Sequence, residues 1–356
     1  NCIHFTGGYP VEPIDIHPSI RHLDCLFDLL TLTDKLVHAY SLGVERMEDA
    51  IEMVRIASGL DHETFEEAPR MFTNINSSSP LKHDWSMLDG AMRLARHNQL
   101  VIVTPFTLSG AMAPITLAGA LAQQTAECLA ALALLQVIRP GAPVAYGSFT
   151  SNVDMKTGAP AFGTPEYVRA TQISGQLARR YRLPWRASNA NAANCPDPQA
   201  TWESAASLWA CSSARANIIY HAAGWMEGGL CASFEKFVID CEMLQQLAYY
   251  HQPVGISDED LAVKAIQEVG PTGHFLGSEH TQARYKTAFY HPFLSDWSNF
   301  ENWEDTGALT AIQRANRIYK EALQNYEPPP MDTAAREELK MFVERRKREG
   351  GAPTDF

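Results

Sequence analysis

The chain has no CxxC pair, no HExxH, no GxGxxG behind a strand-like run, no GxSxG elbow and no P-loop. Those absences remove the commonest zinc, dinucleotide, serine-hydrolase and nucleotide readings. Cysteine is scattered and odd in number, with Cys2, Cys25, Cys128, Cys195, Cys211, Cys231 and Cys241 mostly in apolar stretches. Such residues suit core filling in a reducing compartment, so a cytoplasmic protein is expected. Positive charge is in deficit: 29 Lys and Arg stand against 41 Asp and Glu, a formal −12. That balance argues against broad nucleic-acid binding and mildly favours a cationic ligand. Long apolar runs are missing as well. The longest, CLAALALLQVI (128–138), ends at Arg139-Pro140 and reads as a buried helix too short for a bilayer, so no membrane segment is expected. There is no initial methionine, and CIHF at 2–5 reads as the interior of a fold, which implies a segment upstream.

What is present is a recurrence. With 356 residues and 46% hydrophobic content the chain can bury a large core. Short apolar runs at Cys2–Phe5, Lys35–Tyr40, Met71–Asn76, Leu100–Thr104, Pro143–Gly147, Pro184–Ala187 and Asn217–His221 read as strands. Helical patterns fill the gaps, at Val44–Ser58, Ser86–His97, Pro114–Val137, Thr164–Arg180, Asp197–Ser213 and Ser233–Tyr250. One helix per strand predicts an α/β fold of the TIM (β/α)8 barrel type, short of its first strand or strands here, in preference to a Rossmann sheet. The barrel is assigned to 1–255 and a helical, capping extension to 256–326, with helices at Ser257–Val269 and Ala308–Asn325. A charged tail at 327–356, after PPP (328–330), is expected to fray or to serve oligomer contacts. Low-complexity segments and solenoid-period repeats are absent.

In a barrel of this kind chemistry sits where strands end and loops begin. The residues there are aromatic and amide-bearing: Phe106, Tyr146, Phe149, Trp185, Tyr220 and Trp225, with Asn152, Asp154, Asn189, Asn191, Asn194, His221 and Glu227 among them. Aromatic faces with few cationic neighbours suit a quaternary or tertiary ammonium, helped by a nearby carboxylate. Phe106, Phe149 and Trp225 are candidate cage walls. Glu227 and Asp154 are candidate electrostatic partners, His221 and Asn189 candidate ligands of a substrate carboxylate, and Asn191 a further substrate-binding candidate; Glu227, Asp154 and His221 form the candidate catalytic set. Gly110 opens GAMAP (110–114), either a helix-start anion site or a plain tight turn. His274, Glu279 and His280 crowd into GHFLGSEHT, but their spacing matches no known ligand set, so no metal is expected. The stretch Gly270–Arg284 that holds them, with His274 as a possible substrate contact, is expected to cap the barrel mouth.

Seven strings resemble one family in order along most of the chain: IHFTGG (3–8), GAMAPITLAGALAQQTAECLA (110–130), RPGAPVAYGSFTSNVDMKTGAP (139–160), GTPEY (163–167), ANCPDPQATWES (193–204), GWMEGGLCASFEKFVIDCEML (224–244) and GPTGHFLGSEHTQARY (270–285). Together they are similar to the trimethylamine methyltransferase superfamily, on the side of members without pyrrolysine such as the glycine betaine:corrinoid methyltransferases. The resemblance implies a (β/α)8 barrel that moves a methyl group from a methylated amine to the Co(I) form of a corrinoid. That cofactor is carried by a separate corrinoid protein, with none held tightly by the chain itself. A homo-oligomer is expected. The pyrrolysine of the trimethylamine enzymes would fall near Ser188–Asn194, where this chain has short ordinary residues. The resemblance therefore implies a quaternary amine such as glycine betaine, with trimethylamine as the alternative donor. A betaine-binding or scaffold member that has lost transfer, and a barrel lyase or hydrolase, are the readings from other classes.

Overall fold

The computed structural model describes residues 13–354. The strand expected at Cys2–Phe5, with Cys2 and the string IHFTGG, lies outside them. Six of the apolar runs form one sheet: β1 (Val37–His38), β2 (Met71–Ile75), β3 (Leu100–Val103), β4 (Val144–Gly147), β5 (Trp185–Ser188) and β6 (Ile218–Tyr220). Every pairing is parallel and the spatial order is the chain order. Helix α1 (Pro18–Thr31) precedes the sheet. Each strand is then followed by a longer helix: α2 (Val44–Ser58), α3 (Trp85–Arg96), α4 (Leu117–Ile138), α5 (Pro165–Tyr181), α6 (Pro198–Ser213) and α7 (Phe234–Tyr250). Most of these starts are written in the sequence. Asp84, Thr164, Asp197 and Ser233 accept first-turn N–H groups, and Pro165 and Pro198 occupy positions whose N–H would have no helical partner.

The sheet is strongly curled. Six flat strands would put their edges about 24 Å apart at the usual interstrand spacing. Yet His38 on β1 and Tyr220 on β6, the two edge strands, have ring centroids 5.8 Å apart. Alternation along each strand sorts the side chains onto two faces. Val37, Met71, Ile75, Val101, Val103, Tyr146, Trp185 and Ala187 join the main core between sheet and helices. Phe72, Ile102 and Ala145 form a second cluster with Tyr220 on the concave side. Because both faces are covered, the strands read as continuous apolar runs. The result is a parallel half-barrel, in keeping with the expected barrel type. Tyr146 and Trp185, expected in the funnel, instead face the helices, since each stands one residue out of phase with the inward positions. Tyr146 hydroxyl bonds Gln124 and Thr125 on α4.

Helix α4 spans 22 residues and is, by length and composition alone, apolar enough to cross a membrane, longer than the run 128–138 suggested. Its Ala120, Leu121, Cys128, Leu132 and Leu135 are buried, and Cys128 Sγ donates to Val103 O of β3, so it serves as a core helix. The helix expected over Ser257–Val269 is interrupted at Ala262, whose φ of 50° separates Asp258–Leu261 from Val263–Val269. Further on, α8 (Ala311–Gln324) packs on α7, where Ala315 meets Val238 and Ile239.

The charged tail does not fray. Helix α9 (Thr333–Arg348) adds Leu339, Phe342 and Val343 to the main core beside α1 and α2. Arg346 Nε donates to Asp49 Oδ1 on α2 at 2.6 Å, His22 Nε2 of α1 lies 2.9 Å from Oδ2, and Lys347 pairs with Asp24. Burial pushes the Asp49 carboxyl up, but the hydrogen bonds from His22 and Arg346 outweigh it and hold the group below its ordinary value. A depressed carboxylate contributes stability that is complete above the unfolded value, about 4, and disappears as pH falls through the folded one. Acid should therefore loosen the α9 contact. Far-UV circular dichroism through an acid titration should show a shallower loss in Asp49→Asn, though from a lower starting stability; superimposable acid profiles would refute the assignment.

Candidate functional site

All six strands run the same way, so their C-terminal ends and the loops that follow share one rim of the half-barrel. Phe106 follows β3, Phe149 follows β4, and His221 and Trp225 follow β6. They meet as a continuous wall of rings: Phe106–Phe149 at 5.1 Å, Phe149–His221 at 5.6 Å and His221–Trp225 at 5.5 Å between centroids. Phe162, a residue not singled out from the sequence, stacks on Phe149 at 5.0 Å, and Tyr167 from the first turn of α5 stands edge-on to it. Next to Phe162, Gly163 has a left-handed φ of +71°, and an added Cβ there would lie 2.8 Å from Glu203 Cα, so the chain passes α6 closely only because this residue is glycine. The rings touch one another, so they form a wall rather than an enclosing cage.

A buried polar layer fixes the loops behind that wall. Thr107 and Thr150 hydroxyls bond each other, and Thr150 Oγ1 donates to Gln124 Oε1 at 2.6 Å. The loop after β5 is tied across to the loop after β6: Asn189 Nδ2 donates to Ala222 O (3.2 Å) and Asn191 Nδ2 to Trp225 O (2.8 Å). Glu203 on α6 accepts from the N–H groups of Ala192 and Ala193. Gly224 N donates to Asp240, which is itself paired with Lys236. His221 sits at φ 52°, a conformation uncommon outside glycine and concentrated at functional sites.

The interior facing this rim is cationic. Arg186, pointing inward from β5, is 2% exposed, with its guanidinium carbon 4.2 Å from the Tyr220 ring centroid and 5.6 Å from that of Phe149. Burial lowers its pKa to about 10, which leaves it charged at neutral pH. Burial and the Arg186 charge together push His38 down to about 4 and His221 down to about 3, so both imidazoles are neutral. Among the described residues five buried polar atoms here find no hydrogen-bond partner: Arg186 Nε, Asn189 Oδ1, Asn191 Oδ1, Tyr220 OH and His221 Nδ1. Unpaired buried atoms are rare in folded proteins, and five on neighbouring residues mark a place built for something else to bond.

The other expected site residues stand apart. Asp154 is exposed and shapes a turn, its carboxylate accepting from Thr157 Oγ1 (2.7 Å) and Lys156 N (3.2 Å), bonds that hold it below its ordinary pKa. Glu227 lies on an exposed 3-10 turn at φ 51°, with its N–H on Ala193 O. Gly110 opens the tight turn: the N–H groups of Ala111, Met112 and Ala113 all donate to Leu108 O and are not free for an anion. His274 is exposed, and Gly270–Arg284 has no hydrogen bond, ion pair or ring contact with the wall. The chain just after it is fastened to the second half of α7, where Tyr249 OH donates to Ala288 O and Glu242 accepts from Tyr290. An open cleft of about 330 Å³ between Glu235 and α8 gathers no such orphaned atoms. Among the described residues no three His, Cys, Asp or Glu converge as metal ligands.

The family model for trimethylamine methyltransferase (MTTB) matches residues 1–351. The chain is similar to a glycine betaine methyltransferase of Desulfitobacterium hafniense (strain Y51), at 36% identity over 98% of this chain and 73% of that protein. It is 33% identical to a trimethylamine methyltransferase MttB of Desulfitobacterium hafniense (strain DSM 10664 / DCB-2), over 96% of this chain and 68% of the other. Trimethylamine methyltransferase MttB2 of Methanosarcina mazei is 31% identical over 89% of this chain and 64% of its own length. The family-model match over residues 1–351, together with relatives at 36% and 33% identity over nearly all of this chain, makes it a member of the trimethylamine methyltransferase (MTTB) family.

Proposed function

We propose that the chain transfers a methyl group from a quaternary methylammonium compound, glycine betaine or a near relative, to the Co(I) corrinoid of a partner protein. The observation that carries this reading is the wall of Phe106, Phe149, Phe162, His221 and Trp225 on the rim, beside two imidazoles, His38 and His221, that burial keeps neutral. Aromatic faces attract a methylated ammonium without forming hydrogen bonds to it. The acceptor supplies the nucleophile. On the donor side one C–N bond breaks, its electron pair stays on nitrogen, and a neutral tertiary amine departs; no proton has to move. The chain's own residues then need only orient the N–CH3 bond and exclude water, which a rigid aromatic wall backed by buried hydrogen bonds does well. A tertiary amine would need activation, and the neutral His221 is a poor source of it.

The test is single-turnover transfer to a reduced corrinoid protein, followed by loss of the Co(I) absorbance. Glycine betaine should methylate the acceptor and trimethylamine should not. Transfer from trimethylamine with none from any quaternary amine would overturn the proposal, and betaine binding without transfer would make the chain a binding subunit.

A further inference from the structure

One charge in the interior has no role in moving a methyl group. Trp185 and Ala187 face the helices, so Arg186 between them faces inward. Its Nη1 donates to Ser188 Oγ at 2.6 Å and reaches Ser148 O at 3.5 Å. Among the described residues neither Nε nor Nη2 has a hydrogen-bond partner, and no carboxylate there pairs with the group. A buried guanidinium without a counter-charge is strongly disfavoured unless something supplies one. The neighbouring orphans, Tyr220 OH and the two asparagine oxygens, show that the space around it is polar and incompletely bonded.

We propose that Arg186 is the carboxylate anchor of this site and sets its specificity for zwitterionic donors. The free Nε edge of the fork takes the carboxylate, while the methylated ammonium rests on the ring wall that starts at Phe149, 5.6 Å from the guanidinium carbon. That short span calls for a spacer of one or a few carbons between carboxylate and nitrogen. A bare cation such as choline or tetramethylammonium would meet the Arg186 charge with nothing to offset it, and the like charges repel. The inference rests on the methyl-transfer reading for the fate of the ligand, but its binding can be measured without any acceptor.

Calorimetry on the full chain with three probes tests it. Glycine betaine carries both charges, 3,3-dimethylbutyrate keeps the carboxylate on a neutral carbon isostere, and tetramethylammonium keeps only the head. Betaine should bind at least about tenfold tighter than tetramethylammonium. Arg186→Met should weaken betaine and dimethylbutyrate by about 100-fold and leave tetramethylammonium unchanged or tighter; Arg186→Lys, which keeps the charge and loses the fork, should fall between. The Lys variant and the probe ranking decide the matter if the Met variant does not fold. The anchor is refuted if folded Arg186→Met or Arg186→Lys binds betaine like the parent, or if tetramethylammonium binds as well as betaine. Arg186-dependent binding with no transfer would sink the methyl-transfer reading and keep the anchor; transfer from betaine with an unchanged KM in Arg186→Met would do the reverse.

Discussion

Replacing Lys236 with methionine should cost the fold about 3–5 kcal/mol, the usual penalty for removing one partner of a fully buried ion pair. Lys236 Nζ donates to both Asp240 oxygens, at 2.5 and 2.6 Å, and to Ser204 Oγ at 2.7 Å, with neither charged side chain exposed. Burial pushes the lysine down and the aspartate up, and each group's charge is offset chiefly by the other's. Without the lysine, Asp240 is stranded in the core. The damage should reach the site, because Asp240 Oδ2 also accepts from Gly224 N at 2.9 Å in the loop that carries His221 and Trp225. A Lys236→Met/Asp240→Leu double variant should recover much of the loss but not all, since the Gly224 N–H then has no acceptor. Urea titration measures both. A single variant within about 1 kcal/mol of the parent would show that the pair is not worth what its burial implies.

Phe149 is the ring on which the others lean, touching Phe106, Phe162, Tyr167 and His221 and lying beside Arg186. Phe149→Ala should destabilise the rim by up to about 3–5 kcal/mol, an upper range because the ring is half-buried. Phe149→Leu restores most of the volume and removes the π face, which separates packing from recognition. It should fold like the parent yet bind glycine betaine about 2- to 30-fold more weakly, the span of a cation–π contact of about 0.5–2 kcal/mol. Binding of 3,3-dimethylbutyrate, whose head is neutral, should be almost unaffected. Equal losses for both ligands would mean that Phe149 acts by shape alone.

Strands and most helices were legible because their signals are local. Apolar runs closed by turns, caps at Asp84, Thr164, Asp197 and Ser233, and Pro165 and Pro198 in first turns all lie within a few residues of what they specify. Helix α1 was missed although His17 and Pro18 mark its start. Which side of a strand faces inward was not legible, because both faces of this sheet are apolar and nothing marks the inner one. Tyr146 and Trp185 were placed on the wrong face for that reason, and Arg186 escaped notice. An arginine inside an otherwise buried strand was itself the available signal, since such a charge needs a reason to be there. The ring wall joins loops from different βα units, a contact between segments distant in sequence that proximity to a strand end does not specify.

The docking of α9 bears on how the protein is made. Arg346 reaches Asp49, Lys347 reaches Asp24, and Tyr326 OH donates to Leu32 O, contacts that span 297, 323 and 294 residues. On a ribosome α1 and α2 emerge about 300 residues before these partners exist, so the surface that later receives Leu339, Phe342 and Val343 waits uncovered while the intervening chain is made. Closing so long a loop adds little entropy beyond that of a moderately shorter one. The hazard of this arrangement is therefore one of timing: nascent chains that stop just short of α9 should be the ones most prone to stick to chaperones or to each other.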